Sequence, residues 1–311
     1  ILNKNLFPQV GESNKKKAYY LGLMTNKLLQ NVLGNSETDD RDSFINKRVE
    51  STGDLLKVLF RNNFNKMIKE MKSSIEKDIR SGRVSNYQIL GSTLSKKIKS
   101  TTIDTGMKYA LATGNWGLKN QVDKKGIAQV LQRLTYLGTL SALRRVVSPI
   151  QRGMKATAPR KLANTHYGII CPAETPEGQS VGIVKNLSLM AHITIPSKSD
   201  VVISCLEELG ILKLETLRPL EISRYVKIFV NGDWIGIHKK PQELLVQLKN
   251  LRRNGVINIY VSISWYIEKH EMHIQTDGGR ICRPLYIVDK NKLIITDEMA
   301  LDLQNKKKKM A

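Results

Sequence analysis

The spacing of apolar residues changes near residue 200, and this change constrains the fold more than any other feature. Before it, apolar side chains recur at helical spacing over residues 15–33 and 54–80. After it, they alternate strictly over residues 257–267, as in a strand with one buried face. A chain that keeps both periods in separate stretches folds as a mixed α/β (α+β) protein. We therefore predict several domains: a helical N-terminal part, a mixed central domain and a small α/β module with hairpins.

The middle of the chain carries further elements before the change. The spacing predicts a helix that runs into a Gly-bounded turn over 107–117, an amphipathic stretch with helical spacing over 126–143, and a buried strand over 181–194. Pro149 ends the amphipathic stretch. The stretch 148–168 carries Pro and Gly and has no apolar period, so we expect an exposed basic loop.

The module after the change has clear turn and helix signals. Two predicted strands, 226–230 and 233–237, flank an Asn-Gly pair, which tolerates the positive φ angles of a type I′ hairpin turn. A helix is predicted to begin at Pro241 and to end at Gly255. A short helix over 203–212 and an apolar run over 285–288 lie on either side. The Pro-Ser-Lys-Ser-Asp linker, which precedes the short helix, marks the predicted domain boundary.

Positive charge is concentrated in one window. The 311 residues include 50 Lys and Arg against 28 Asp and Glu, a formal net charge of +22, and nine of those charges lie in residues 124–173, which contain no acidic residue. Five of the nine are Arg, whose planar fork holds phosphate oxygens bidentately. The Lys runs 15–17 and 306–309 are typical of solvated faces or of a Lys-rich composition. The central window therefore predicts contact with nucleic acid.

Composition and motifs exclude several classes of protein. No apolar run approaches the roughly 18 to 20 residues of a membrane span, so we expect no membrane partner. Cys171, Cys205 and Cys282 form no CxxC pair, which argues against a zinc finger and a disulfide framework. No phosphate-binding loop of the GxxxxGK[ST] type is present.

The segment 165–182 is the densest cluster of functional side chains. Glu174 and Glu177 could act as an acid/base pair, but Pro172 and Pro176 favour a structural turn whose carboxylates pair with nearby Arg side chains. His166 could be a base, a stacking residue or a hydrogen-bonded core residue. Upstream, Asp39, Asp40 and Asp42 could ligate a cation, although an exposed loop or a helix start fits their pattern better.

Several blocks of the sequence resemble one family in the same order. They are NTHYGIICPAETPEGQSVGIVKNLSLMA (164–191), DDRDSF (39–44), GMKYALATGNWG (106–117), KKGIAQVLQRLTYLGTLSALRR (124–145), SPIQRG (148–153), IFVNGDWIGIH (228–238), LKNLRRNGVIN (248–258) and DGGRICRPLYIV (277–288). They resemble the second-largest, β-like subunit of multisubunit DNA-directed RNA polymerases, of the eukaryotic, archaeal and large-DNA-virus type. The resemblance covers nearly the whole chain.

The resemblance implies a domain layout and a function. It implies the end of a lobe-like helical domain at 1–90, a fork domain at 91–195, a first external domain at 196–265 and the start of a second at 266–311. In the family, the fork lies beside the active centre and contacts template DNA, the downstream fork and the RNA–DNA hybrid. The two fork loops would be the loop after Gly117 and the loop at 148–160.

The resemblance also implies roles for single residues. Gln129 would lie near the RNA–DNA hybrid, and Glu174 and Glu177 would line the side of the active centre from which nucleotides enter, behind the groups that touch the metal. The nucleic-acid-binding candidates are Gln129, Arg133, Arg144, Arg145, Arg152, Lys155, Arg160, Lys161 and His166. No residue of this chain is expected to ligate a metal ion. Mg²⁺ would be held by a partner subunit and by later segments, and Zn²⁺ only by the C-terminal clamp of the family.

Three functional hypotheses follow. The first is a central fragment of a polymerase β-like subunit, starting at Ile1 rather than Met, which is inactive alone and works with the largest (β′-like) subunit and other polymerase subunits. Its location would be the nucleus, or the host cytoplasm or virion for a large DNA virus. The second is a stand-alone nucleic-acid-binding module with no catalytic role. The third is a scaffold whose basic window docks an acidic protein.

Overall fold

The computed structural model describes residues 5–82, 96–116, 126–150, 153–217, 222 and 224–305. The chain divides into two compact units, one formed by Ile1–Val49 with Val146–Ala311 and the other by Glu50–Arg145. Helices and small sheets occur in the same chain, so the mixed α/β, multidomain fold class is confirmed. The units divide the chain at different places from the predicted domain boundaries, which stay a prediction.

The α-helices are α1 (Asn14–Val32), α2 (Thr52–Arg80), α3 (Thr101–Thr113), α4 (Tyr136–Leu143), α5 (Ser199–Glu208), α6 (Pro241–Arg253) and α7 (Asp297–Gln304). The strands are β1 (Arg145–Val147), β2 (Val184–Asn186), β3 (His192–Ile193), β4 (Leu212–Lys213), β5 (Val226–Val230), β6 (Asp233–His238), β7 (Ser262–Tyr266), β8 (Glu271–Gln275), β9 (Ile281–Cys282), β10 (Val288–Asp289) and β11 (Lys292–Leu293).

A five-stranded sheet in the order β4-β6-β5-β8-β7 organises the first unit. Strands β5 and β8 are parallel, and the other neighbours are antiparallel. The predicted hairpin is confirmed, since Asn231 (φ 50°) and Gly232 (φ 85°) form the turn between β5 and β6. Parallel neighbours need a crossover, and the chain makes it through β6, α6 and β7, which lie between β5 and β8. The predicted helix at 241–255 is confirmed as α6 within this crossover.

Both faces of the sheet are covered by helices. Along β5, Ile228 and Val230 join a buried cluster with residues of α5 and α6, whereas Phe229 joins a second cluster with α1. This alternation follows from the two-residue period of a strand. The first cluster includes Val202, Leu206, Leu244, Leu248, Met272 and Ile274. The sheet is thus a core layer rather than an exposed surface.

Helix α1 packs on the sheet through one apolar stripe. Leu23 is buried, and the ring of Tyr19 meets Trp234 edge-on with centroids 6.4 Å apart. The helix begins after Ser13, whose side-chain oxygen accepts the backbone N–H of Lys16. The predicted helices at 15–33 and 54–80 are both confirmed, as α1 and α2.

A buried carboxylate fixes α1 to the sheet. Glu271 on β8 is only 2% exposed and forms an ion pair with Lys27 of α1 at 2.8 Å, while Nε2 of His273 lies 3.1 Å from its other oxygen. Burial alone would raise the pKa of Glu271, but the hydrogen bonds with His273 and Lys27, and their charges, outweigh burial and lower the pKa to about 2. The carboxylate therefore stays ionised at neutral pH.

The turn after β8 joins three segments of the first unit. The backbone N–H of Val49 donates to the carbonyl of Gly279 at 2.7 Å, and the Arg48 guanidinium contacts the Asp277 carboxylate at 2.5 Å. Gly279 has a φ of 80°, and a Cβ there would lie 2.4 Å from the Val49 carbonyl oxygen. After the turn, β9 pairs with β3.

The second unit is built on two antiparallel helices, α2 and α3. Leu59 and Ala110 are buried between them with Trp116, whose ring N–H donates to the Leu55 carbonyl at 2.9 Å. At Gly106 a Cβ would lie 2.0 Å from the Asn63 side-chain oxygen, so any larger residue would displace the buried Asn63 side chain. The helix predicted near 107–117 is present as α3, which starts earlier than predicted, at Thr101, and ends at Thr113.

Some predicted elements are shorter than the apolar pattern indicated. The stretch 126–143 is helical only from Tyr136 to Leu143, because Ile127 and Ala128 instead pack against the core of the second unit. The predicted strand over 257–267 covers only Ser262–Tyr266. The buried strand predicted over 181–194 is replaced by two short strands, β2 and β3. In the apolar run 285–288, strand pairing begins only at Val288. Within the described residues, no helix is long and apolar enough to cross a membrane.

We predict that Glu271→Gln lowers the free energy of unfolding at pH 7 by about 3 kcal/mol. The folded-state pKa is depressed from 4.5 to about 2, so this stabilisation is present above pH 4.5 and is lost as the pH falls towards 2. Urea unfolding at several pH values measures the difference. Asp104→Asn, which breaks an exposed pair with Lys108, is the control and should change stability by less than about 1 kcal/mol. A wild-type advantage that stays constant down to pH 2 would contradict this account.

Candidate nucleic-acid interface

The basic window is divided between the two compact units. Residues up to Arg145 belong to the second unit, and residues from Val146 onwards belong to the first. The prediction that 124–173 forms one continuous basic surface stays a prediction.

In the second unit, the described part of the window begins at residue 126, and its first residues are fixed by backbone contacts. The N–H of Ile127 donates to the Gly114 carbonyl at 3.0 Å, and a Cβ on Gly114 (φ 71°) would lie 2.4 Å from the Ala128 carbonyl oxygen. The next residue, Gln129, is exposed, and its side-chain amide donates to the Gly126 carbonyl at 3.1 Å. The predicted hybrid-facing glutamine thus lies on the surface of an anchored segment.

The Arg residues of this part surround the short helix α4. Thr135 caps the helix by accepting the N–H of Gly138 at 3.0 Å. Arg133 precedes the cap and is exposed, whereas Arg144 is the half-buried residue that ends the helix and Arg145, the first residue of β1, is exposed. Two of these three predicted contacts therefore present their guanidinium groups to solvent.

Large apolar side chains near these Arg residues are also exposed. Val130, Leu134 and Leu137 are 93%, 85% and 74% exposed. The apolar residues of an amphipathic helix ordinarily face a core, whereas these three face solvent. Contiguous exposed apolar side chains are typical of surfaces that meet another molecule.

In the first unit, the basic residues fall into outward and inward groups. Lys155 and Lys161 are exposed. Arg160 instead directs its guanidinium at backbone carbonyls, among them that of Gln179 at 2.7 Å. Arg152 and the predicted fork loop after Gly117 lie outside the described residues.

His166 is buried, with 4% exposure. Its Nδ1 accepts the N–H of Ala163 at 3.3 Å, and its ring meets Phe44 edge-on with centroids 4.7 Å apart. Burial, followed by the charges of Lys185 and Lys47, lowers the pKa of the imidazole, so it is neutral at pH 7. Of the three roles open to it, the core hydrogen-bonding role fits this geometry, and the interface proposed below excludes His166.

The two candidate carboxylates lie on an exposed loop. Glu174 and Glu177 are both exposed, and the side chain of Thr175 between them accepts the N–H of Gly182 at 2.9 Å and donates to the Val184 carbonyl at 3.0 Å. Thr175 therefore fixes the loop that carries the carboxylates.

The aspartates of the DDRDSF block are used in contacts within the first unit. Asp39 pairs with Lys269 at 2.8 Å, and Asp42 lies 3.6 Å from Lys47. Throughout the part of the chain that the structure describes, no three His, Cys, Asp or Glu side chains are grouped so that they could hold a metal ion. The side chains present therefore do not fit a metal site.

Sequence reasoning missed one buried cation beside this loop. Lys185 is 6% exposed, and its ammonium donates to the carbonyls of Pro159, at 3.2 Å, and of Gly182. Burial, followed by the charge of Lys47, lowers the pKa of Lys185, and the charge of Asp42 opposes this shift. A lysine that directly follows Ile183 and Val184 in a predicted buried strand was the available signal, since a buried lysine needs polar partners.

Family models match three successive parts of the chain. The model described as RNA polymerase Rpb2, domain 2, matches residues 1–50, domain 3 matches 129–193 and domain 4 matches 228–289. All of the candidate interface residues lie within the domain 3 match. The domain 2 match ends beside Val49, where the first unit is interrupted.

Curated relatives extend the likeness over nearly the whole chain. The chain is 44% identical to DNA-directed RNA polymerase II subunit 2 of Arabidopsis thaliana over 98% of its length, and 44% identical to subunit RPB2 of Encephalitozoon cuniculi over 96%. It is 34% identical to subunit Rpo2 of Sulfolobus acidocaldarius over 98%. These alignments cover 26%, 26% and 27% of the relatives, so the chain spans about a quarter of their length.

We predict that Gly182→Ala destabilises the chain more than Gly178→Ala. Both glycines have positive φ angles, 67° and 79°, but a Cβ on Gly182 would lie 2.2 Å from the Arg160 carbonyl oxygen, whereas a Cβ on Gly178 meets nothing within 4 Å. The difference should be about 1–3 kcal/mol, the range for an overpacked site. Thermal unfolding of both variants measures it, and equal losses would contradict the packing explanation.

Proposed function

Because the chain belongs to the family of second-largest subunits of multisubunit DNA-directed RNA polymerases, we propose that it contributes to template-directed RNA synthesis as part of such a subunit. Its role is to line the active-centre cleft and to contact template DNA, the downstream fork and the RNA–DNA hybrid. Catalytic activity is proposed for the assembled polymerase, and the chain alone is expected to be inactive.

One observation carries the proposal: among the described residues of the acid-free basic window, four cations lie on the surface. Arg133, Arg145, Lys155 and Lys161 are exposed, and all of them lie within the stretch that matches domain 3. Lys and Arg that neutralise phosphates release counterions, which gives affinity without sequence specificity. This suits a polymerase, which must hold any template sequence.

The apolar side chains of the same stretch support an occupied surface. Val130 directly follows exposed Gln129, and Leu134 directly follows exposed Arg133. Amide, guanidinium and apolar groups therefore lie close together in a short segment of the chain. An amide and a guanidinium suit phosphate and sugar oxygens, and apolar groups exclude water between them. A purely solvated charged face would not carry this set of side chains.

The loop with Glu174 and Glu177 is assigned an electrostatic and positioning role. Both carboxylates are exposed and lie on a loop that Thr175 fixes. Because the described residues form no metal site, no chemical step is assigned to a metal on this chain. We place the catalytic Mg²⁺ on other parts of the assembled polymerase and any Zn²⁺ outside this chain. The two carboxylates then act behind the reacting groups and shape the field in which nucleotides approach.

The remaining parts of the proposal concern partners and location. We propose the largest (β′-like) subunit and further polymerase subunits as protein partners, since the relatives are subunits of DNA-directed RNA polymerases. We also propose the nucleus, because the relatives with 44% identity are RNA polymerase II subunits of eukaryotes. These relatives give no support to the viral location.

We predict that Arg133→Ala, Arg145→Ala and Lys155→Ala flatten the salt dependence of template binding by the assembled polymerase. Each lost phosphate contact should reduce the slope of log K against log salt concentration by about 0.7 to 0.9. Lys290→Ala and Lys292→Ala, on the exposed β10–β11 hairpin, are matched controls that should leave the slope unchanged. Equal slopes for the wild type and all window variants would contradict the proposal.

We predict that Glu174→Gln and Glu177→Gln lower the elongation rate without abolishing Mg²⁺ binding. The reason is that both carboxylates act through the field and the loop rather than as metal ligands. Single-nucleotide addition and Mg²⁺ titration of the assembled polymerase measure the two effects. Glu243→Gln, on an exposed face of α6, is the control and should leave the elongation rate unchanged. Loss of metal binding in either loop variant would contradict the assigned role.

A further inference from the structure

We propose that Arg160 is a positioning residue that, together with Lys185, holds the loop of residues 174–182 in place, rather than a phosphate contact. The inference deepens the proposed function. Only the predicted loss of polymerase activity rests on that function, whereas the predicted change in hydrogen exchange does not. It separates Arg160 from the exposed cations of the basic window, with which the sequence grouped it.

The guanidinium of Arg160 joins two loop segments. Its Nη1 donates to the carbonyls of Gln179 and Val181 at 2.7 and 2.9 Å. Its Nη2 donates to the Met154 carbonyl at 3.1 Å, and its Nε donates to the Ala156 carbonyl at 3.2 Å. One planar group therefore holds four backbone carbonyls, two in each loop segment. This uses the donor geometry that distinguishes Arg from Lys.

Lys185 supports the same loops from the interior. Its ammonium donates to the carbonyls of Pro159, the residue before Arg160, and of Gly182, at the end of the loop. The side chain is buried, so its charge faces these carbonyls rather than an external phosphate. Hydrogen bonds to charged donors are among the stronger ones in proteins.

The backbone of Arg160 is used as well as its side chain. The absence of a Cβ at Gly182 lets the two chains approach so closely that an added Cβ would lie 2.2 Å from the Arg160 carbonyl oxygen and 2.6 Å from its Cα. Thr175 links the other side of the loop to Gly182 and Val184. The loop that carries Glu177 is therefore fastened at both of its sides.

This arrangement shapes an open cavity of about 490 Å³. Its lining includes Gly153, Lys155, Thr157, Arg160, Gly178 and Gln179. Arg160 therefore sets the distance between the segment that presents Lys155 and the segment that follows Glu177. If this distance changes, the exposed charges move while their number stays the same.

Arg160→Lys tests the inference, because it keeps the positive charge and removes the planar fork. In the full chain without nucleic acid, amide hydrogen exchange over residues 178–182 should become at least about tenfold faster. Exchange in β5 should not change, which excludes general unfolding. In the assembled polymerase, kcat for nucleotide addition should fall while the salt slope of template binding stays at the wild-type value.

Two further variants keep the test decisive. Arg253→Lys, at an exposed residue of α6 outside the basic window, is the matched control and should alter neither exchange nor kcat. If Arg160→Lys does not fold, Thr175→Val removes one link of the same loop at nearly constant volume and should speed exchange over the same residues. Unchanged exchange over residues 178–182 in a folded Arg160→Lys variant would overturn the inference, as would unchanged exchange in Thr175→Val if Arg160→Lys does not fold.

The result can be separated from the fate of the proposed function. If Arg160→Lys behaves as wild type and Arg160→Ala reduces the salt slope by about 0.7 to 0.9, Arg160 is a phosphate contact and the inference fails while the proposed function stands. If Arg160→Lys frees the loop but no window variant changes the salt slope, the inference stands and the proposed function fails.

Discussion

The parallel pairing of β5 with β8 is the constraint on which the first unit depends. It requires the crossover through α6, and it places Glu271 and His273 beside Lys227 and Phe229 in the middle of the sheet. The carboxylate then reaches Lys27 and fixes α1, while the turn that follows β8 holds Val49 and leads into the pairing of β9 with β3. Three segments of the first unit that are far apart in sequence, namely α1, the residues around Val49 and β3, are thus linked to this sheet or to the turn that follows it.

Local signals in the sequence predicted the elements with sharp boundaries. The Asn-Gly turn, the crossover helix that begins at Pro241 and the two long helices follow from turn chemistry, proline geometry and apolar spacing, and all are present. The helical prediction for residues 126–143 was only partly right because the apolar residues of this stretch have two different roles. Ile127 packs on the core of its unit, whereas Val130 and Leu134 remain exposed, and a periodicity cannot distinguish a core from a surface that meets another molecule.

The candidate site was predictable as a region but not residue by residue. Charge density located the window, the cluster of functional side chains at 165–182 located the glutamates, and the resemblance implied a role for them. Whether a cation faces solvent depends on carbonyls that are distant in sequence, as for Arg160 and Gln179 or Lys185 and Pro159. The burial of His166 also depends on a residue distant in sequence, because Phe44, 122 residues before it, packs on its ring. Tertiary structure therefore divides one basic stretch into cations that meet the surroundings and cations that hold the loops.

The most direct test of the central claim is photocrosslinking between the assembled polymerase and a template–RNA scaffold that carries photoreactive nucleotides near the growing end. The account predicts crosslinks to the exposed residues of 126–161, including Gln129 and Lys155, and none to buried His166 or to the β10–β11 hairpin. Crosslinks that fall on the hairpin, or that are absent from 126–161 in an active polymerase, would contradict the assignment of this surface to nucleic acid.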